Sequence, residues 1–288
     1  MNTDELEQAL SVANKAADAS EKTIKSHQAD GSWSVTYKAD DSPVTEVDVA
    51  TEKAIHAVLA EHSPGAAFYG EETGHSAAVA NSDNGDANSH AVEPSQLLWL
   101  VDPIDGTKSF IRNMPFYSTQ IALQESGELC VGVSNAPAYG ERLVSRKGGG
   151  TWLNGEQVNC RQTDSLSDAF LSTGNLDRLA KLPEAWTVFG DIITQVRRVR
   201  GYGDFCHYHQ LCCGQTDLII ESDVNILDIA ALTVGIREAG GVITDLAGEP
   251  VGLETTSVLA AGTQALHGAV LELLMPYFAK PSLPSLKN

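Results

Sequence analysis

Leu97-Leu98-Trp99-Leu100-Val101-Asp102-Pro103-Ile104-Asp105-Gly106-Thr107-Lys108-Ser109-Phe110, LLWLVDPIDGTKSF, is the stretch on which the reading of the chain turns. Its apolar opening, Leu97 to Val101, has the composition of a fully buried strand. The strand stops at Asp102, and Pro103, Asp105 and Gly106 follow within four residues. Two carboxylates are thereby delivered to one strand end on a turn stiffened by proline. Like charges that close repel, so the pair calls for a cation between them, and a divalent metal is the natural candidate.

Working outward, acids recur where apolar runs end. Ala66 to Tyr69 reads as a short buried strand opening onto Gly70-Glu71-Glu72-Thr73. Upstream, Thr3 to about Ser26 places Leu6, Leu10, Ala13, Ala17 and Ile24 at helical spacing, and Gly31 breaks that helix. Trp33 to Tyr37 follows as a short strand, and a second helix begins near Thr45, with Asp48 in its first turn in a capping-box arrangement. Asp48 has two readings at this level: a charge favourable to the helix dipole, worth about 0.5 kcal/mol, or a member of the acidic site. Gly74 to Ser95, rich in Ser, Asn, Ala, Asp and Gly, has almost nothing to bury and reads as a surface excursion.

Downstream, Tyr117 to Gln124, Leu129 to Asn135 and Arg142 to Ser145 alternate like strands of an antiparallel meander. Gly148-Gly149-Gly150 with Asn154-Gly155 reads as a turn-rich passage between two halves, 1–150 and 151–288; no Lys-Ser/Thr follows these glycines, so they are not a phosphate loop. Beyond it the expected strands are Ala169 to Thr173, Val196 to Arg200, Thr216 to Glu221 and Val242 to Thr244. The expected helices are Leu176 to Leu182, Asp204 to Cys213, one opened near Asp228 and ended by Gly240-Gly241, and Leu266 to Phe278. Strands and helices interleave, which predicts a layered α/β (α+β) fold.

Composition limits the function. Asp and Glu outnumber Lys and Arg by 38 to 19, a formal charge of -19, which argues against a protein that coats nucleic acid or anionic membrane. An anionic phosphate ester would be repelled by the same field unless metal ions made the site locally positive. The five cysteines are odd in number and scattered, as expected of reduced thiols. Cys206, His207, His209, Cys212 and Cys213 match no paired-ligand zinc spacing and read as helix packing. The start MNTDELEQAL lacks the apolar core of a secretory signal, and no run approaches the roughly 18 apolar residues of a membrane span, so a soluble cytoplasmic protein is expected.

Glu71, Asp102, Asp105 and Asp228, with Asp48 and Glu72 as further candidates, are oxygen ligands, which select hard cations such as Mg²⁺. Shared carboxylates imply more than one ion, and two ions about 3.5–4 Å apart can clamp a phosphate ester. Gly106 has no side chain to obstruct the amides of Gly106 and Thr107 from a phosphate, and the Thr107 hydroxyl could orient an attacking water.

The segment Asp102-Pro103-Ile104-Asp105-Gly106-Thr107, preceded by Gly70-Glu71-Glu72 and followed by Asp228-Ile229-Ala230-Ala231 and Glu238-Ala239-Gly240-Gly241, resembles the inositol monophosphatase family of Mg²⁺-dependent, lithium-sensitive phosphatases. The motifs fall in family order across most of the chain. The resemblance implies the layered αβαβα sandwich shared with fructose bisphosphatase, a homodimer, and two or three Mg²⁺ ions. It implies metal ligation by Glu71, Asp102, the Ile104 carbonyl, Asp105 and Asp228, water activation by Thr107 with Glu71, and phosphate binding by the amides of Gly106 and Thr107. Asp48, in the segment from Ser42, matches the acid that supports an additional metal. Glu221, seven residues before Asp228, falls where the family contacts substrate hydroxyl or amine groups, with Asp204 close by.

Arg200-Gly201-Tyr202-Gly203-Asp204-Phe205-Cys206-His207-Tyr208 looks like the Gly-Asp-Cys-Tyr segment of the family's histidinol-phosphate phosphatases, with Phe205 inserted. By this resemblance Asp204 and Glu221 would bind the ammonium and imidazole of histidinol phosphate, a step of histidine biosynthesis. Inositol monophosphate and phosphoadenosine phosphate are the other substrates considered, and a regulatory binding protein that kept the fold is the non-enzymatic alternative. Leu227 departs from the family's usual Trp before the metal-binding Asp, and Lys108 and Arg112 are also unusual; both basic side chains are expected to face solvent.

Overall fold

The computed structural model describes residues 1–38, 43–76 and 97–278. Helix α1 (Thr3–Asp30) is capped by Asn2 in a capping box with Glu5 and ends at Gly31, whose φ of 74° closes the last turn. Strands β1 (Val35–Tyr37) and β2 (Pro43–Thr45) pair antiparallel and lead into α2 (Glu46–His62), whose Thr45 cap and Asp48 bond each other reciprocally.

The first sheet then forms from β3 (Ala67–Gly70), β4 (Gly74–Ser76), β5 (Leu97–Asp105), β6 (Ser118–Glu125), β7 (Glu128–Ala136), β8 (Glu141–Arg146), β9 (Gly150–Leu153) and β10 (Glu156–Val158), with the one-turn helix α3 (Thr107–Phe110) after β5. Its spatial order is β10-β9-β8-β7-β6-β5-β3-β4, antiparallel throughout except for the β3/β5 pair. Gly74–Ser76, expected to begin a surface excursion, is instead β4; residues 77–95 of that segment lie outside the described residues. The glycine-rich passage also differs from expectation, because Asn154 and Gly155 are the two central residues of a β9–β10 hairpin. Both have positive φ, 50° and 84°, the geometry whose twist matches paired strands.

The second sheet, order β12-β11-β13-β15-β14, is built from β11 (Phe170–Thr173), β12 (Arg198–Arg200), β13 (Leu218–Ser222), β14 (Val242–Thr244) and β15 (Ser257–Ala261). Its helices are the one-turn α4 (Asp177–Ala180), α5 (Pro183–Gln195), α6 (Asp204–Cys212), α7 (Ile226–Glu238) and α8 (Gln264–Leu274). Three expectations need correction. The helix expected over Leu176 to Leu182 is a single turn, because the chain restarts as α5 with Pro183 in its first turn, where a missing N–H costs nothing. The final helix ends at Leu274, and Met275–Tyr277, which contains Pro276, tightens into a 3₁₀ turn. The third is β15, a strand outside the expected set.

Period-2 alternation explains the layers. Trp99 and Val101 of β5 pack with Ile121, Leu123, Val131 and Val133 under α1 and α2, while Leu98 and Leu100 point through the other face into the cluster of α6 and α7. The second sheet behaves likewise: Ile219, Val258 and Ala260 face α6 and α7, whereas Leu218, Ile220 and Leu259 face α5 and α8. Helices, sheet, helices, sheet and helices therefore stack in the expected αβαβα order. Helix α7 is buried between both sheets, and its backbone comes so close to β7 that a Cβ at Gly132 would lie 2.3 Å from the Ala231 carbonyl oxygen.

Candidate active site

In a regular strand Asp102 and Asp105, three positions apart, would point to opposite faces of the sheet. They do not, because the β5–β6 register shifts between Asp102 and Asp105. This irregularity sits at Pro103 and Ile104, where a proline is tolerated. An Asp102 Oδ1 bond from the Ile104 N–H (2.9 Å) and a Thr119 Oγ1 bond to the Pro103 carbonyl (2.8 Å) fix it. Both acids then face the side that α7 occupies. Asp228, three residues into α7, meets them there: one carboxylate oxygen of each of Asp102, Asp105 and Asp228 lies within 4.8 Å of the others.

Asp228 is held by the Asn225 N–H (2.8 Å) and side-chain amide (2.7 Å), so its role in capping α7 also aims it. Ser118 Oγ donates to Asp105 Oδ2 at 3.2 Å. Burial raises the carboxyls of Asp102 and Asp105 well above the usual range, aided by Glu71 at Asp102 and by Asp204 and Asp228 at Asp105. Burial likewise pushes Asp228 up to about 7, against the bonds from Asn225. Glu71 follows β3, tied by its N–H to the Val101 carbonyl at 3.1 Å, and its carboxylate takes the Lys38 ammonium at 2.9 Å. Lys38 also bridges Glu72 at 2.9 Å, whose carboxyl burial pushes up to about 7.

Gly106 adopts φ 86°, and a Cβ there would meet the Phe116 carbonyl oxygen at 2.6 Å, so only glycine fits this turn into α3. Thr107 Oγ1 stands 2.9 Å from the Ile104 carbonyl and 3.2 Å from Asp48 Oδ1. Asp48 is buried, and its other oxygen accepts from the Thr45 N–H and hydroxyl. Its two readings therefore coexist: it caps α2 and it faces Thr107.

Glu221 on β13 and Asp204, at the start of α6 with a φ of 45°, line one cavity with Asn175, Tyr208, Asp105 and Asp228. Glu221 is only 2% exposed and accepts from the Asn175 N–H (3.0 Å), the Tyr208 hydroxyl (2.7 Å) and His207 Nε2 (3.2 Å). Burial alone would raise its carboxyl, but these partners bring it below the ordinary value. Asp204 is pushed up to about 6, chiefly by burial and then by Glu221, with Lys108 opposing. Lys108 is exposed, as expected, and its charge reaches Asp204; Arg112 is exposed too. Leu227 is buried in the central cluster.

Sequence reasoning passes over Glu52. It is fully buried on α2, one turn after Asp48, and accepts the N–H groups of Glu72 and Thr73, each at 2.8 Å, so it shapes the turn that carries Glu71. An acid on the apolar face of an amphipathic helix, level with Ile55 and Leu59, is the available signal. The Cys/His cluster holds no metal geometry: among the described residues the acids Asp102, Asp105 and Asp228 form the grouping able to hold an ion, and His209 is spent on Glu141 and Ser134.

The donor set fits Mg²⁺: all-oxygen, mutually repelling, and short of ligands unless water and substrate complete the shell. A layered sandwich with such a cluster beside a tight glycine turn suits metal-assisted chemistry on a phosphate ester. The model of the inositol monophosphatase family matches residues 5–277, and the chain belongs to that family. It is similar to the bifunctional phosphatase IMPL2, chloroplastic, of Arabidopsis thaliana (34% identity; 94% of this chain and 76% of that one). Similar too are the histidinol-phosphatase of Mycobacterium tuberculosis (34%; 74% and 78%) and the inositol monophosphatase of Dictyostelium discoideum (32%; 81% and 83%). In fold it matches the extragenic suppressor protein suhB of Bartonella henselae, with a TM-score of 0.80 at 24% identity over 92% of this chain and 98% of that one. Among the described residues no helix is long and apolar enough to cross a membrane.

Proposed function

We propose that the chain hydrolyses histidinol phosphate to histidinol and phosphate, as a cytoplasmic homodimer using two or three Mg²⁺ ions. The observation that carries the substrate is the acidic cavity joining Asp204 and Glu221 to Asp105 and Asp228, which suits a cationic amine next to the phosphate. The likeness to a histidinol-phosphatase supports it.

Glu71, Asp102, the Ile104 carbonyl, Asp105 and Asp228 would hold the metal, which when bound supplies charge neutralisation for the phosphate and acidifies a water. The amides of Gly106 and Thr107 receive phosphate oxygens. With the Ile104 carbonyl, 2.9 Å away, engaged by a metal, the Thr107 hydroxyl would donate its hydrogen bond to Asp48 at 3.2 Å and accept one from the attacking water, which it thereby orients. Asp204 takes the substrate ammonium. Glu221 lines the same cavity, and its Oε1, which accepts only the Asn175 N–H, keeps acceptor capacity for the substrate imidazole.

The test is a panel of phosphomonoesters with Mg²⁺. Expected are a higher kcat/KM on histidinol phosphate than on inositol phosphate or phosphoadenosine phosphate, and a narrowed gap in Asp204→Ala. A wild-type preference for inositol phosphate overturns the amine assignment. Equal phosphate release by wild type and Asp105→Asn overturns the catalytic one and favours a regulatory protein.

A further inference from the structure

A row of polar side chains crosses the apolar layer between the first sheet and α6, and the hydrolysis chemistry described above uses only its last member, Asp105. Ser118 and Gln120 lie two residues apart on β6, on the same face as Ala122, which packs in the central cluster with α6 and α7. Ser134 of β7 is the cross-strand partner of Gln120, and His209 reaches it from α6. All four are buried. The row is continuous. Ser118 Oγ stands 3.2 Å from Asp105 Oδ2, Gln120 Nε2 stands 2.7 Å from Ser118 Oγ and 3.1 Å from Ser134 Oγ, and His209 Nε2 stands 2.9 Å from Ser134 Oγ. At the far end His209 Nδ1 meets Glu141 Oε2 at 2.9 Å, and the Glu141 side chain, 29% exposed, reaches the surface.

Each hydrogen in the row has a direction imposed from its ends. A carboxylate only accepts, so His209 Nδ1 carries the proton that faces Glu141. Burial holds the imidazole below its ordinary value, and at pH 7.5 it is neutral. Nε2 is then an acceptor, and Ser134 gives it its one hydroxyl hydrogen. The Ser134 oxygen is left to accept from Gln120, whose NH₂ group therefore points at both serines. Ser118 accepts the second amide hydrogen, and its own hydrogen goes to Asp105. The opposite amide orientation would set Gln120 Oε1 before two hydroxyls, one already committed to His209, and would draw the Ser118 hydrogen away from Asp105. The arrangement carries a cost, because Gln120 Oε1 is buried with no partner among the described residues. A methionine would fill the same space without an orphaned oxygen, so packing gives no reason for an amide here.

We propose that Gln120 is a positioning residue for metal binding at Asp105: acting through Ser118, and held in one orientation by Ser134, His209 and Glu141, it keeps a hydroxyl hydrogen on Asp105 Oδ2 and leaves Oδ1 to the cation. The inference rests on the reading of Asp105 as a metal ligand. Among the described residues Oδ1 has no donor from the chain, whereas Oδ2 has the directional one from Ser118. A carboxylate gripped at one oxygen has lost its rotational freedom before the ion arrives, so ordering that would otherwise oppose binding is already complete.

The probe is Mg²⁺, titrated calorimetrically into the full chain stripped of metal, with no substrate present. Ser118→Ala and Gln120→Met should each weaken binding at least threefold, and the double variant no further than Ser118→Ala alone, since Gln120 acts only through that hydroxyl. Denaturant midpoints in EDTA establish that each variant is folded. A second measurement needs no substitution at Ser118 or Gln120: nitrogen NMR of imidazole-labelled wild type at pH 7.5, with His209 identified by the signals lost in His209→Gln, should show the proton on Nδ1 and a bare Nε2. A proton on Nε2 overturns the proposal, and so do additive losses from Ser118→Ala and Gln120→Met. Asp105→Asn separates the two levels. If it binds Mg²⁺ as the wild type does, the ligand reading of Asp105 falls and takes the proposal with it. If it loses binding while Ser118→Ala and Gln120→Met keep theirs unchanged, the proposal alone is overturned.

Discussion

Thr107 has one hydroxyl hydrogen and two acceptors within reach, the Ile104 carbonyl and Asp48. Removing the hydroxyl while keeping the shape, in Thr107→Val, should cut kcat by about 10²-fold or more with little change in KM, because orientation of the water is lost and phosphate binding is not; steady-state kinetics check it. At the other end of the site, Tyr208→Phe deletes the 2.7 Å bond to Glu221 and should raise KM for a cationic substrate a few-fold while leaving that for a neutral one. His209 gives a pH signature away from the acids. Burial holds its imidazole below the ordinary 6.5, with Glu141 opposing, so the folded protein keeps it neutral while the unfolded chain protonates it. Its stability contribution is therefore complete above pH 6.5 and lost as pH falls below it, by at most about 1.4 kcal/mol per pH unit. The buried acids work the other way, since Glu72 and Asp228, pushed up to about 7, and Asp204, to about 6, take up protons in the folded protein before the unfolded chain does; denaturant midpoints measured in EDTA from pH 7.5 to 5.5 should therefore rise, and His209→Gln, which removes the opposing contribution, should steepen that rise. At this scale the acids of the site are legible, since carboxylates that end apolar runs are costly to bury together unless a cation joins them. Glu52 is not: its two partners are backbone N–H groups twenty residues away, and no local pattern encodes them.

Among the elements, β5 shows how far pattern reasoning reaches. Its apolar run predicts a buried strand, and nine residues form one. What alternation alone cannot supply is the register shift that turns Asp105 toward Asp102, because it depends on the partner strand and on Thr119 gripping the Pro103 carbonyl. The Asn154-Gly155 hairpin is available in the sequence, as a dipeptide suited to a two-residue turn, but the neighbouring glycines draw the reading toward a linker. The closeness of α7 to β7 has no sequence signal. Gly132→Ala forces a Cβ against the Ala231 carbonyl and should destabilise the fold by about 1–3 kcal/mol in denaturant unfolding.

For the whole molecule, the αβαβα order is readable from interleaved periodicities together with the family motifs, whereas the extent of the second sheet is not, since β15 is a small-residue strand without alternating polarity. The acid cluster sets a conflict between folding and activity. Asp102 and Asp105 are both buried, and without cations their charges oppose burial. Asp105→Asn should thus melt a few degrees higher than wild type in EDTA, at roughly 2–4 °C per kcal/mol, yet gain less from Mg²⁺, which at 100 times its Kd stabilises by about 2.7 kcal/mol; thermal scans with and without the metal test both halves of the statement. Helix α7, finally, has a temporal meaning. Asp228 lies about four-fifths of the way along the chain, on the element that both sheets must close around. During synthesis, Glu71, Asp102 and Asp105 leave the ribosome long before the residue that completes their grouping. A product terminated before α7 accordingly holds most of the acids and none of the assembled chemistry, and the cell meets the hydrolase only once α7 has been made.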